Sequence, residues 1–205
     1  MNLVAIVDYG MCNLDSVARA VEECGGTPVI TDQERDLAVA NRIILPGVGA
    51  FADAMRNVRE CSLDRILAEQ VLGNDIPFLG ICLGMQLLAM KGWEGVETEG
   101  LGWIEGEVVR LEPSAEDKRI PHIGWDEVHW ARESTLCRGI RQGEDFYFVH
   151  SYHICPRDDE DVLARTPYAG GFVSAIQRGH IFGVQFHPEK SQRAGFQVLT
   201  NFLST

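Results

Sequence analysis

The sequence predicts an α/β fold: a central, mostly parallel sheet flanked by helices in three layers, with an added region of antiparallel strands. Three observations carry this. In the first half of the 205-residue chain, short aliphatic runs alternate with stretches whose apolar residues recur at helical spacing, as in strand–helix–strand units. In the second half, strand-like runs follow one another, separated by turn residues. Between the halves, Ile76-Pro77-Phe78-Leu79 leads straight into Gly80-Ile81-Cys82-Leu83-Gly84. A tight turn there would sit at the C-terminal end of a strand, where open α/β sheets bind their ligands.

Taken in order, Leu3 to Asp8 reads as a first buried strand. Leu14 to Cys24 has a helical apolar face stopped by Gly25-Gly26. Pro28 to Ile30 and Arg42 to Leu45 are short strands. Ala50 to Val58 and Leu63 to Leu72 are helix-like, as is Met85 to Met90 after the turn at Cys82. Ile104 to Leu111, Ile120 to Trp130, Phe146 to His150, Val162 to Arg165, Phe172 to Gln177 and His180 to Gln185 read as strands. Arg178-Gly179 marks a hairpin turn between the last two, and Phe196 to Leu203 closes the chain as a helix. The acidic run Asp158 to Asp161 is expected to be a solvated loop. With no internal repeat and no low-complexity linker, residues 1–205 are expected to form one domain.

Composition narrows the function. Eighteen basic and thirty acidic side chains give a net charge of −12, which argues against nucleic acid or an anionic membrane surface as a partner. No apolar run approaches transmembrane length. The start, Met1 to Asp8, lacks a basic leader region and reads as a strand rather than a targeting signal. Six cysteines without paired spacing fit a reducing, cytoplasmic setting better than a disulfide framework. His122, His129, His150 and His153 are not framed by Cys-x-x-Cys, so neither a metal nor any other cofactor is expected.

A cysteine between glycines on a strand-to-helix turn is the thiol form of a nucleophile elbow. Glycines there would allow the sharp turn and leave room beside the sulfur, and a helix N-terminus would favour the thiolate. Far downstream, Gly183-Val184-Gln185-Phe186-His187-Pro188-Glu189 delivers a histidine and a carboxylate from the end of another apolar run. Taken alone, the Gly-x-Cys-x-Gly pattern is weak, because a buried cysteine is commonly a small hydrophobe. Paired with His187 and Glu189, Cys82 gains a base and an acid to orient that base, a nucleophilic triad. Leu83, next to the nucleophile, would offer a backbone N–H to an oxyanion. Pro46-Gly47-Val48-Gly49, which follows the strand ending at Leu45, is either a second oxyanion loop or a simple turn.

The elbow and the His-x-Glu pair resemble the class I, triad-type glutamine amidotransferases. Asp8-Tyr9-Gly10-Met11, Leu45 to Phe51, Pro121 to Trp125, Phe146 to Tyr152 and His187 to Ser191 resemble, within that class, the glutaminase subunits of imidazole glycerol phosphate synthase. The likeness spans essentially the whole chain. It implies hydrolysis of L-glutamine through a Cys82 thioester, with His187 and Glu189 completing the triad and Gly47 or Val48 supplying the second oxyanion donor. It further implies that Gln86, Ser151 and Tyr152 contact the substrate. Taken by themselves these could be a helix-surface glutamine and packing residues. Lys190 would face a (β/α)8-barrel cyclase subunit in a heterodimer, although a plain surface lysine reads the same way. Two residues depart from the family pattern: Cys12 where glycine is expected and Asp126 where asparagine is expected. These leave open a paralogous subunit that supplies ammonia for surface-sugar amidation. A thiol peptidase or deglycase would carry its histidine soon after the cysteine. A non-catalytic regulatory module would have no need of an intact triad.

Overall fold

The computed structural model describes residues 2–115, 117 and 119–205. In chain order the elements are β1 (Leu3–Val7), α1 (Leu14–Glu23), β2 (Thr27–Thr31), α2 (Glu34–Ala38), β3 (Arg42–Gly47), α3 (Phe51–Glu60) and α4 (Leu63–Ala68). Then come β4 (Phe78–Cys82), α5 (Leu83–Gln86), β5 (Ala89–Gly92), β6 (Thr98–Glu99), β7 (Ile104–Arg110), β8 (His122–Trp130) and β9 (Glu144–His150). The chain closes with β10 (Tyr152–Pro156), β11 (Val162–Thr166), β12 (Phe172–Arg178), β13 (Ile181–Val184) and α6 (Gln192–Phe202).

Nine strands form one mixed sheet in the order β2-β1-β3-β4-β13-β12-β11-β8-β9. Its parallel half runs from β2 to β13, with Gly183 of β13 opposite Gly80 of β4 and Gly47 of β3 opposite Cys82. The antiparallel strands expected from the second half extend this same sheet from β12 onward. A second sheet, in the order β10-β7-β5-β6, packs beside it.

The apolar runs of the central strands are continuous because both of their faces are covered. Alternate residues of β1 serve the two faces. Ala5 and Val7 join Phe51, Met55 and Leu67 of α3 and α4, whereas Val4 and Ile6 join Val17 and Val21 of α1 and Val198 and Phe202 of α6. α1 ends as its glycines predict: Gly25 takes φ +85° and its N–H donates to the Glu22 carbonyl at 2.9 Å.

Several local expectations are corrected. The segment after Cys82 is helical for a single turn, Leu83–Gln86, and then re-enters a strand, with Ala89 opposite Ile104 of the second sheet. The helix expected over Leu63 to Leu72 changes to a π-helical turn at Glu69–Gly73. Helix α2 and strands β5, β6 and β10 carry no sequence periodicity long enough to be read. The hairpin turn falls at Gly179-His180, since Arg178 pairs with Ile181. In the acidic run, Asp161 is buried and accepts from Arg178 Nε at 2.9 Å, so only its neighbours are solvated.

Candidate active site

Strand β4 ends on Cys82, whose backbone sits at φ +54°, ψ −109°, a region that L-residues with a side chain rarely occupy. The strained residue of the elbow is therefore the cysteine itself. The flanking glycines serve a different purpose from the one expected. A Cβ on Gly84 would lie 1.8 Å from the Leu45 carbonyl oxygen, and one on Gly80 would lie 2.6 Å from the Gly84 oxygen. They let β3, β4 and the following turn press together, which holds the strained elbow in place, and they do not open space beside the sulfur. The one-turn α5 also supplies little macrodipole, so the local amide of Leu83 matters more than a helix field.

His187 and Glu189 meet in a 3-10 turn, Pro188–Lys190, rather than along an extended strand. His187 Nδ1 lies 2.8 Å from Glu189 Oε1, and both side chains are almost wholly buried. The backbone around them is pinned. His187 N–H donates to the Tyr147 carbonyl at 2.9 Å, and Ser191 Oγ donates to the His187 carbonyl at 2.6 Å. Because the carboxylate can only accept, Nδ1 carries a proton; Nε2 has no hydrogen-bond partner among the described residues. Burial by itself would lower the pKa of this imidazole. The Cys82 sulfur and the Glu189 carboxylate outweigh that and raise it to about 10, favouring the imidazolium.

A cavity of about 390 Å3 opens over Cys82, lined among others by Leu83, Gln86, Glu94, Ser151 and Tyr152. That volume suits a small-molecule ligand. A larger and shallower depression of about 670 Å3 beside Trp130, Arg132 and Cys137 contains no member of the triad. Gln86 is buried, not on a helix surface; its amide nitrogen donates to the Tyr152 carbonyl at 2.8 Å and to Gln185 Oε1 at 3.0 Å. Ser151 and Tyr152 are half-buried at the cavity wall. Lys190 is exposed, its Nζ 5.9 Å from the centre of the Tyr147 ring. In the loop after β3, the N–H of Val48 donates to the Met11 carbonyl at 2.9 Å, so it is committed away from the cavity. Gly47 abuts the Tyr9 hydroxyl, which a Cβ there would meet at 2.2 Å.

The two departures from the family pattern lie nearer the site than their sequence positions imply. Cys12 Sγ donates to the Pro46 carbonyl at 3.2 Å, directly under the Gly47–Gly49 loop. Asp126 Oδ2 is 3.4 Å from His122 Nε2, and His122 touches His150 of the cavity wall, Nδ1 to Nε2 at 3.3 Å. His122 is stacked on Tyr168 and Phe148, and among the described residues no cluster of three metal-ligating side chains occurs. The six cysteines are free thiols.

Two residues of the site escaped the sequence reading: Glu94, which lines the cavity, and Gln185, which is buried beneath it against Cys82 and Gln86. Glu94 follows β5 in an irregular segment that carries no motif, and its Oε2 accepts from Phe51 N–H at 2.8 Å. Gln185 lies within the His187 motif but reads as one more strand residue.

An elbow cysteine beneath a cavity and a buried His–Glu pair, on a mixed α/β sheet, define a triad hydrolase site of the amidotransferase type. The family model for class I glutamine amidotransferases matches residues 5–205, and the chain belongs to that family. It is 48% identical to the imidazole glycerol phosphate synthase subunit HisH of Moorella thermoacetica, over 98% of this chain and 94% of that one. It is 43% identical to the subunit of the same name from Aquifex aeolicus, over 96% and 94%. Among solved structures, PurLQS from Thermotoga maritima superposes with a TM-score of 0.73 at 20% identity, covering 98% of this chain and 97% of that one. The glutaminase domain of Trypanosoma brucei CTPS superposes at 0.67 and 17%, covering 98% and 91%. These last two share the fold.

Proposed function

We propose that this chain is a glutaminase subunit that hydrolyses L-glutamine to glutamate and ammonia. It would pass the ammonia to a (β/α)8-barrel cyclase partner, which makes imidazole glycerol phosphate and aminoimidazole carboxamide ribotide in histidine biosynthesis. The observation that carries the reading is the buried Glu189–His187 pair, in the turn that follows the strand beside the one that ends in Cys82, with no hydrogen-bond partner for His187 Nε2 among the described residues. Membership of the amidotransferase family and the names of the relatives support the pathway.

The chemistry follows from the atoms present. The Cys82 sulfur attacks the side-chain carboxamide carbon of glutamine, and the C=O pair becomes an oxyanion. Leu83 N–H is the first donor to that charge. The second must come from Gly47 or Val48, and Val48 can serve only after its N–H leaves the Met11 carbonyl. The His187 imidazolium gives its Nε2 proton to the departing nitrogen, so that ammonia leaves and a thioester remains. Neutral His187 then takes a proton from water as the water attacks the thioester, which frees glutamate and restores the thiolate–imidazolium pair. Glu94 is the carboxylate lining the cavity and suits the substrate's ammonium group; Gln86, Ser151 and Tyr152 bound its amino-acid end. Lys190 faces the partner, residues 1–205 act as one domain, no cofactor is used, and the setting is the cytoplasm.

The test uses the assembled complex with Cys82→Ser. Turnover from glutamine should vanish while turnover from added ammonium salts survives. Loss of both, with the complex intact, would show that Cys82 does something other than release ammonia.

A further inference from the structure

Gln185 is wholly buried between β13 and His187, and its backbone N–H is tied to the Ser174 carbonyl at 2.9 Å. Its side chain lies between two groups: Nε2 is 3.6 Å from Cys82 Sγ, and Oε1 is 3.0 Å from Gln86 Nε2. The orientation of both amides follows from the chain of contacts. The Tyr152 carbonyl can only accept, so the Gln86 atom that faces it at 2.8 Å is nitrogen. The second N–H of that nitrogen points at Gln185, so the Gln185 atom opposite it is oxygen. The nitrogen of Gln185 is then left facing the sulfur. Flipping either amide would set two like groups against each other in a buried site.

We propose that Gln185 is a catalytic residue of this site, a hydrogen-bond donor to the reacting sulfur of Cys82, and that Gln86 is the positioning residue that holds its amide in the donating orientation. The proposal rests on the reading of Cys82 as the nucleophile. A donor aimed at sulfur stabilises negative charge that forms there, because a charged acceptor gains more from the bond. Since the N–H is held from two sides, it needs no reorganisation when the charge forms. The same contact steers the sulfur within the strained elbow toward the cavity. It also gives Gln86 a task that uses both of its N–H groups, so only its oxygen is left for a ligand.

The experiment uses the full chain with Gln185→Met and Gln185→Glu, with Gln86→Met and Cys82→Ser alongside. Methionine keeps the length and removes the donor; glutamate keeps the shape and presents only acceptors. Two readouts are taken: kcat and KM for glutamine, and the rate at which iodoacetamide alkylates Cys82 at pH 7, followed on the Cys82 peptide by mass spectrometry. A hydrogen bond to a charged group is lost, so kcat should fall about 10- to 100-fold in Gln185→Met with KM little changed. Alkylation of Cys82 should slow by a similar factor. Gln185→Glu should be slower still on both measures, and Gln86→Met intermediate. If Gln185→Met does not fold, Gln185→Glu carries the test alone. Unchanged alkylation in a folded Gln185 variant, whatever happens to activity, overturns the proposal and leaves Gln185 a packing residue. Glutaminase activity surviving in Cys82→Ser would instead sink the assignment of the nucleophile, and the alkylation rates would still report whether Gln185 acts on the sulfur.

Discussion

At the scale of single residues, the site depends on side chains that are absent as much as on those present. Gly84 has no Cβ, and this lets the turn after Cys82 lie against β3; a methyl there would overlap the Leu45 oxygen. Gly84→Ala should therefore destabilise the fold by about 1–3 kcal/mol, the usual range for overpacking, and lower activity as the elbow shifts. The urea midpoint measures the first effect, and a midpoint unchanged from the parent would contradict the close approach. Within the triad, His187→Asn should cost nearly as much activity as Cys82→Ser, since residues acting as one unit are not additive. Glu189→Gln should keep roughly 10- to 100-fold more activity than either, because an orienting acid is the least critical member of such a unit. A double-mutant cycle decides: strict additivity between Cys82 and His187 would mean that they do not work together.

At the scale of elements, the loop after β3 is the part with two uses for the same amide. Val48 N–H is bonded to Met11, and Cys12 holds the Pro46 carbonyl from below. Gly49, at φ +106°, gives the loop a hinge that a residue with a side chain would not tolerate. The isolated chain should accordingly hydrolyse glutamine slowly, with one oxyanion donor turned away. A barrel partner carrying its ligand should speed it by about 100- to 1,000-fold, the typical worth of one such donor, if it selects the other loop state. Stopped-flow glutamate release with and without the partner measures this. Equal rates in the two conditions would rule out the loop as the gate.

At the scale of the whole molecule, buried histidines give the stability a two-sided pH dependence. Burial lowers His150 to about 3, against a small opposing effect of the Tyr152 carbonyl; it also lowers His122 to about 4 and His153 to about 4. Between pH 6.5 and those values the unfolded chain binds protons that the folded chain does not, so stability falls as the pH falls. For the deeply buried His150 the slope approaches about 1.4 kcal/mol per pH unit. His187 has the opposite sign. Its folded pKa is raised to about 10, so its contribution is complete below about pH 6.5 and is lost as the pH rises through 10. Urea midpoints taken from pH 4 to 10 should peak near neutrality. A flat profile on the acid side would show that these histidines are not buried in their neutral form.

Much of this molecule was legible in its sequence, because the signals concerned are local. Continuous aliphatic runs marked the central strands β1, β3 and β4 and period-3.6 patterns the helices α1 and α3, since burial on both faces of a sheet or on one face of a helix imposes those patterns directly. The elbow, His187 and Glu189 were legible because a nucleophile, its base and its orienting acid are restricted to few residue types. Other features have no local cause. The turn after Cys82 stops at Gln86 because Ala89 finds a strand partner at Ile104, a choice made by a distant segment. Asp161 is buried because Arg178 arrives beside it through the β11–β12 pairing. Gly80 and Gly84 looked like room for a ligand and proved to be room for backbone, since only packing tells which neighbour fills the space. Glu94 reaches the cavity, Gln185 reaches the Cys82 sulfur, and Val48 turns its N–H toward Met11, all through contacts between residues far apart in the chain. The sequence by itself determined which chemical groups the chain carries and which short elements they sit on. Their mutual distances, the strain at Cys82, the direction of each buried amide and the resting state of the loop were decided by the tertiary structure, because those quantities depend on non-local contacts that no short window of sequence contains.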